Sequence, residues 1–234
     1  MNRLRLKREI CALLEGADLG RIFSVLENYP QLPLINCLFT CLCHAQERVR
    51  WHAVSCFGLV VSELAEKDIE EARIIMRRFL WMLNDESGGI GWGIPEAMGE
   101  VMYCHDILAQ EYVHMLVSYT LDDGPERFQD GNFIELPMLQ QGVLWGVNRV
   151  ALKHIKLLEK QGVADNLRGY FSSADSQVRG LVCSVCRSMR LRDYSHELRL
   201  LTQDGGPTRL YHEGVFTDVT VGQLARGALA ALAE

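Results

Sequence analysis

The chain has 234 residues, of which 48% are hydrophobic and 23% charged, and its formal net charge at pH 7 is −6. This is the balance of an ordinary soluble protein with a sizeable core. Proteins that bind DNA or RNA usually carry a basic face, so we expect no nucleic-acid partner. No apolar run reaches the ~20 residues that span a bilayer, and the start lacks a signal peptide. We therefore expect no membrane partner and a cytoplasmic location.

The chain begins with two short apolar-periodic segments, residues 4–14 and 19–26. We assign them to an N-terminal helical cap over residues 1–30. A repeat array needs such a cap because its open end otherwise exposes the core to water.

Five ten-residue segments repeat along the rest of the chain, beginning at residues 49, 90, 143, 178 and 219. The first two and the last two are separated by about 41 residues, a period that is typical of repeats with two helices each. Between them, residues 69–83 and 107–121 place apolar side chains at the spacing of an amphipathic helix. We find no period-2 alternation bounded by turn residues, so we expect no strands.

The first and fourth of these segments carry a resemblance to a known family. Glu47-Arg-Val-Arg50 is followed by Ala53 and Gly58, and Asp175-Ser-Gln-Val-Arg179 opens the later segment. These features resemble HEAT-repeat proteins and, within them, the divergent group named after the phycobilisome lyases. The resemblance implies an all-α, right-handed α-α superhelix (a HEAT/armadillo-like solenoid) of about five helix pairs over residues 34–233, in one domain over 1–234.

The middle of the array departs from this pattern. Gly91 and Leu144 stand where the repeat arginine belongs, which would interrupt any ladder of arginine–aspartate pairs. A polar, Gly- and Pro-containing stretch over residues 122–137 is predicted to be an inserted loop, and insertions of this kind emerge on one face of a solenoid and often carry binding. A second insertion, residues 203–217, precedes the last helix.

The family's usual binding surface is the concave face lined by the second helix of each pair, as the resemblance implies. Trp51, Trp92 and Trp145 occupy the same position in three successive repeats, so they can form a ladder along one groove. Side chains one and two helical turns further on share that stripe. The candidate binding groove comprises Trp51, His52, Trp92, Gly93, Glu96, Glu100, Trp145, Asn148 and Arg149.

A simpler interpretation is that these tryptophans fill the core between helices, because burial of tryptophan dominates core energetics. Gly93 and Gly146 follow two of them, and each costs about 1 kcal/mol in a helix relative to alanine. Something must therefore approach closely there: a ligand, a partner or the neighbouring helix.

Residues 85–100 contain four glycines before Pro95, so the second helix of this repeat is predicted to begin near Gly93. Its free amide groups would then face a pocket for an anion or a carboxylate. The glycine spacing is not that of a dinucleotide site.

We predict no metal, cofactor or catalytic residues. Two groups of possible metal ligands lie in apolar stretches: Cys37, Cys41, Cys43 and His44, and the pair Cys183 and Cys186. Their position indicates that the cysteines are buried, reduced thiols. Glu96 and Glu100 are one turn apart, a spacing that usually only solvates a helix face.

These observations favour a non-catalytic scaffold that docks a protein or a peptide in the groove. The resemblance implies an alternative: a lyase-type or chaperone-type factor for a prosthetic group that uses Glu96, Glu100 and Arg149.

Overall fold

The computed structural model describes residues 3–84, 91–122, 124 and 131–233. Within these ranges the chain forms eleven α-helices and one pair of strands: α1 (Arg3–Gly16), α2 (Leu19–Leu26), α3 (Gln31–Leu42), α4 (Glu47–Lys67), α5 (Ile69–Leu83), α6 (Ile94–Cys104), α7 (Asp106–Ser118), α8 (Pro137–Lys160), α9 (Ser176–Met189), α10 (Ser195–Leu201), β1 (Pro207–His212), β2 (Val215–Thr220) and α11 (Val221–Ala233). None of the helices in these ranges is long and apolar enough to cross a bilayer.

The helices form two layers. The inner layer is α4, α6, α8, α9 and α11, each of which packs on the next. Helices α3, α5, α7 and α10 pack behind their partners in the outer layer, and 3₁₀ turns at Val163–Asn166 and Arg168–Ser172 precede α9. Each of the five repeated segments maps onto an inner helix or its start. The predicted all-α solenoid is confirmed.

The repeat arginines close the loops that lead into two inner helices. In the first repeat, Nη1 of Arg50 donates to the carbonyls of His44 and Ala45. In the fourth repeat, Nη1 of Arg179 makes the equivalent bonds to the residues five and six positions before it. Nε of Arg179 also donates to Asp204 at 2.7 Å, which links this repeat to the next.

The two middle repeats begin their inner helices by other means. Helix α6 starts late, at Ile94, after Gly93 in a left-handed conformation (φ 69°), as the position of Pro95 predicted. Helix α8 starts early, at Pro137, six residues before the repeated segment. Proline in the first helical turn loses no bond, because the first amides of a helix have no partner within it.

The core lies between the two layers. Phe39 of α3, Phe57 of α4 and Phe79 of α5 form an aromatic cluster with ring centroids 4.9 to 5.2 Å apart, and all three are buried. The N-terminal helices add Leu6, Ile10 and other buried side chains to the same core. The first repeat is thereby closed off at its open end.

The expectation of no strands is wrong. β1 and β2 pair in antiparallel register, from Pro207 opposite Thr220 to His212 opposite Val215. The turn residues Glu213 (φ 46°) and Gly214 (φ 86°) both have positive φ. A two-residue hairpin loop needs that conformation, because it matches the twist of the two strands. Most of the predicted second insertion is therefore a β-hairpin, which we call the hairpin (residues 207–220).

Candidate functional site

The hairpin lies across the inner helices. β1 packs against α9, the ring of its Tyr211 contacts α4, and the backbone carbonyl of Tyr211 accepts a bond from Trp145 of α8. At the far end, a Cβ on Gly214 would lie 3.1 Å from Cγ of Leu19 in α2, so the tip touches the N-terminal cap. We call the surface beneath it the inner groove, formed by α4, α6, α8 and α9.

Two of the three predicted ladder tryptophans meet in this groove. The rings of Trp51 and Trp145 have centroids 4.9 Å apart. The ring stacked on Trp51 is that of Tyr211, at 4.7 Å and 23°. Trp92 precedes α6 instead of lying within it, and it is 36% exposed. Tyr211 is the residue that sequence reasoning missed, because it comes from a segment interpreted as an insertion.

Tyr211 is held from three sides. Its ring is 5% exposed, and its hydroxyl shares a hydrogen bond of 2.7 Å with Ser55 of α4. Its backbone carbonyl accepts a bond of 3.2 Å from Nε1 of Trp145. Trp145 is itself only 7% exposed, in part because the hairpin covers it. The tryptophans thus belong both to the groove and to a buried cluster.

The backbone of β1 is bound by side chains of the inner helices. The amide of Gln177 donates to the carbonyl of Arg209 and accepts from its N–H, both at 2.7 Å. Ser176 donates to the carbonyl of Pro207 at 2.6 Å. Together with Trp145, these residues satisfy the edge of β1 that does not face β2. This is how proteins hold an extended peptide: backbone bonds supply affinity and side-chain pockets supply specificity.

Glu100 and Arg149 line a cavity of about 460 Å³ at the tip of the hairpin, which we call the tip cavity. Arg149 donates to both carboxylate oxygens of Glu100, at 2.7 and 3.0 Å, and its guanidinium lies over the ring of Tyr103. Its Nη1 is 3.9 Å from Oε1 of Glu213 at the hairpin turn. The two predicted groove charges are therefore committed mainly to each other.

The surroundings of this ion pair act in opposite directions. Burial raises the pKa of Glu100, and the hydrogen bonds from Arg149 oppose that shift. Burial also acts to lower the pKa of Arg149, but the hydrogen bonds and charge of Glu100 outweigh it and raise the pKa. The bidentate geometry is the strongest hydrogen-bonded arrangement that an arginine and a carboxylate can form.

A second cavity of about 340 Å³ lies on the other side of the aromatic stack, and we call it the base cavity. Trp51, Trp92, Glu96, Arg50 and Arg209 are among its lining residues. It is large enough for one or two side chains and combines aromatic faces with both signs of charge.

Glu96 is the most perturbed acid of the groove. Burial raises its pKa to about 7. Its Oε2 is enclosed and has no hydrogen-bond partner among the described residues, and a Cβ on Gly142 of α8 would lie 2.5 Å from that oxygen. Gly142 therefore makes the space for the carboxyl group. An interaction with its own backbone amide opposes that pKa shift without outweighing it. The anion pocket at the start of α6 stays a prediction. Residues 85–90 of that glycine-rich stretch lie outside the described residues.

The helical glycines have a packing role. A Cβ on Gly99 would overlap the Cα of Gly146, and a Cβ on Gly146 would lie 2.8 Å from the carbonyl oxygen of Pro95. Of the three predicted causes of close approach, the neighbouring helix is the one observed here. Helices α6 and α8 meet backbone to backbone.

The remaining candidates are spread over the groove's surroundings. Asn148 lines the tip cavity and accepts a bond from Ser188. His52 lies elsewhere: it is 1% exposed and its Nδ1 is 2.7 Å from the carbonyl of Leu14 in α1. Desolvation lowers the pKa of His52, which suits a side chain that joins the cap to the first repeat.

The cysteines carry free thiols. As predicted, Cys37, Cys41, Cys183 and Cys186 are buried, and burial raises the pKa of Cys183 to about 12. Cys43 is exposed, so the prediction of a buried thiol is wrong there. Among the described ranges, no group of three or more His, Cys, Asp or Glu side chains is arranged to hold a metal ion.

Comparison with known proteins identifies the fold. No protein-family model matches the chain, and no curated protein matches its sequence. Among solved structures it is similar to an engineered protein (14% identity, TM-score 0.58, 97% of this chain and 90% of that one). It is also similar to a designed armadillo repeat protein in complex with the peptide (KR)4 (17% identity, TM-score 0.55, 97% and 91%), and to another designed armadillo repeat protein (16% identity, TM-score 0.54, 97% and 91%). The architecture is that of an armadillo/HEAT-like repeat solenoid.

Proposed function

We propose that this chain is a non-catalytic scaffold whose inner groove docks an extended segment of a protein or peptide partner. The observation that supports it is the seating of β1. Helix side chains, Gln177 and Trp145, bond the backbone of an extended strand, and an aromatic pocket takes its Tyr211. The inner groove thus has the chemistry of a peptide-binding surface.

The base cavity extends this surface beyond the hairpin. Trp92 is partly exposed there, beside Glu96 and Arg50. Partly exposed tryptophan and arginine are the residue types that most often dominate binding energy at interfaces. One of the structural neighbours is a designed armadillo repeat protein solved in complex with a peptide.

The lyase-type alternative draws less support from the groove. It needs Glu100 and Arg149 free to handle a prosthetic group, but the two form a buried bidentate pair. The interaction scaffold requires no such freedom.

The test uses a library of random 12-residue peptides displayed on phage and selected on the intact chain. Dissociation constants of selected synthetic peptides are then measured by fluorescence anisotropy. Trp92→Ala should weaken binding at least tenfold, because it removes an aromatic wall of the base cavity. Trp81→Ala is the matched control, since Trp81 is 68% exposed on the outer helix α5. Equal weakening by both variants, or a selection without binders, contradicts the proposal.

A further inference from the structure

We infer that the hairpin is an internal occupant of the inner groove, and that the partner is an extended segment with a basic residue two positions before an aromatic one, which replaces Arg209–Tyr211. This inference rests on the proposed function and names the partner's chemistry. Both positions follow from the contacts that the hairpin makes.

The aromatic position is the anchor. The ring of Tyr211 stacks on Trp51 and packs beside Phe216 of the other strand, and its hydroxyl pairs with Ser55. Any partner that fills this pocket must supply an aromatic side chain of similar size, because a smaller one leaves the faces of Trp51 and Trp145 unpacked.

The basic position lies two residues earlier. Nε of Arg209 is 3.3 Å from Oε2 of Glu47, at the start of α4. In an extended strand, residues two apart share a face, so one segment reaches Glu47 and the aromatic pocket together. Glu47 is about 40% exposed, so this contact selects charge and adds little affinity.

Between these two positions the groove binds backbone. Gln177 bonds the N–H and C=O of Arg209, and Trp145 bonds the C=O of Tyr211. These bonds are available to an extended strand of any sequence, so exchange of one strand for another retains them.

The hairpin is attached so that it can leave as a unit. Its two ends meet at one point, where the N–H of Val221 donates to the carbonyl of Gly206 at 3.0 Å. At Gly205, next to this base, a Cβ would meet no atom of the described part of the chain within 4 Å. The N–H of Gly222 also donates to the carbonyl of Asp204 at 2.8 Å, which keeps this base closed. Because both ends of the hairpin are at the base, the hairpin can lift from the groove without threading through the helices.

Gly180 of α9 leaves the space in which the hairpin packs against the groove. A Cβ there would overlap Oγ1 of Thr208 and lie 2.6 Å from its Cγ2. Thr208 is 2% exposed, so it has no room to retreat. Gly180→Ala therefore unseats the hairpin while strengthening α9, since alanine is the better helix former.

The hairpin can also be locked in place. A Cβ built at Gly214 lies 3.8 Å from Cβ of Leu19, which is the usual separation in a disulfide. Gly214 has a positive φ of 86°, so a cysteine there strains the turn in both redox states. Leu19→Cys with Gly214→Cys ties the tip to α2 under oxidising conditions, and the reduced form, which carries the same strain, is its control.

The experiment measures binding by anisotropy of a fluorescein-labelled peptide with the sequence of residues 206–213 in which glycine replaces Thr208. The glycine keeps the Cβ of Gly180→Ala from excluding the peptide as it excludes the hairpin. The protein forms are the intact chain, Gly180→Ala, a variant in which Gly-Ser replaces residues 207–220, and the oxidised and reduced double-cysteine variant. Gly227→Ala is the matched control, because Gly227 is also helical and a Cβ there meets only one distant contact, at 3.8 Å. Thermal unfolding shows whether each protein variant is folded.

We expect the Gly-Ser variant to bind at least tenfold tighter than the intact chain, and Gly180→Ala at least threefold tighter, whereas Gly227→Ala should not change the affinity. Oxidation of the double-cysteine variant should weaken binding at least tenfold, because only the open fraction binds. In the peptide, alanine at the tyrosine should weaken binding at least tenfold and glutamate at the arginine about threefold.

Equal affinity for the locked and reduced forms would overturn the inference, because the peptide would then bind outside the groove. If the hairpin-free variant does not fold, Gly180→Ala and the locked form decide alone. Library peptides that depend on Trp92, together with no binding of the 206–213 peptide to any open form, would reject the inference and leave the proposed function standing. No binder of either kind would reject both.

Discussion

Helix α8 contributes to two interfaces of different kinds, one with α6 and one with the hairpin. Against α6 it places Gly142 and Gly146, where a side chain would overlap the neighbour, and Arg149, which forms a bidentate pair with Glu100. Against the hairpin it places Trp145, whose indole bonds a backbone carbonyl. The first interface depends on close contact between the backbones of two helices, which a separate peptide cannot replace. The second depends on side chains that hold an extended strand, which another strand can satisfy. Helix α8 thus takes part both in a fixed helix pair with α6 and in the contact with the hairpin that we infer to be exchangeable.

The largest effect should come from the ion pair within the α6–α8 interface. Glu100→Gln leaves the buried Arg149 with only the exposed carboxylate of Glu213, at 3.9 Å, as a counter-charge. It should lower the free energy of unfolding by about 3 kcal/mol, measured by urea unfolding. The double variant Glu100→Met/Arg149→Met should regain most of that loss. Glu9→Gln, in the exposed pair with Arg5, is the control and should cost less than about 0.5 kcal/mol. Equal effects at the two sites would contradict the picture of a fixed interface.

Gly99→Ala should be next. Its methyl group would overlap the Cα of Gly146, and backbone cannot rotate away as a side chain does. Overpacking should cost about 2–3 kcal/mol after the gain in helix propensity is included. Gly169→Ala is the control, because a Cβ at Gly169 would meet no described atom within 4 Å. Thermal unfolding of both variants measures the difference. A stable Gly99→Ala would mean that α6 and α8 slide apart easily, which removes the distinction between the two interfaces.

Glu96 gives the α6–α8 interface a pH dependence. Its pKa rises from 4.5 to about 7 on folding, so its contribution to stability is intact below pH 4.5, falls as pH rises through 7, and is constant above that. Glu96→Gln removes this loss. It should be about 1–2 kcal/mol more stable than the natural chain at pH 8 and nearly equal to it at pH 5. Urea midpoints at several pH values test this, and a difference that does not change with pH would show that Glu96 is solvated.

The same two interfaces show how far the sequence predicts the structure. The spacing of about 41 residues located the inner helices because each repeat must bury one apolar face against the next. The α6–α8 pairing was only partly predictable: Glu100 and Arg149 were placed in one groove, but their mutual bond joins residues 49 apart. The hairpin's seat was not predictable, because Ser55 and Tyr211 are 156 residues apart. The one local signal for the strands, which we did not use, is Gly214 in a turn between β-branched and aromatic residues.

The smallest effect should come from the hairpin interface, and it should be local. Tyr211→Phe keeps the ring on Trp51 but removes the hydroxyl that pairs with Ser55. Loss of one buried hydrogen bond is worth about 1 kcal/mol, or roughly fivefold in the equilibrium between docked and undocked hairpin. Amide hydrogen exchange should therefore be about fivefold faster in residues 207–220 and unchanged in α6 and α8. If exchange instead accelerates equally in the hairpin and in the inner helices, the two open together, and the hairpin is part of the scaffold.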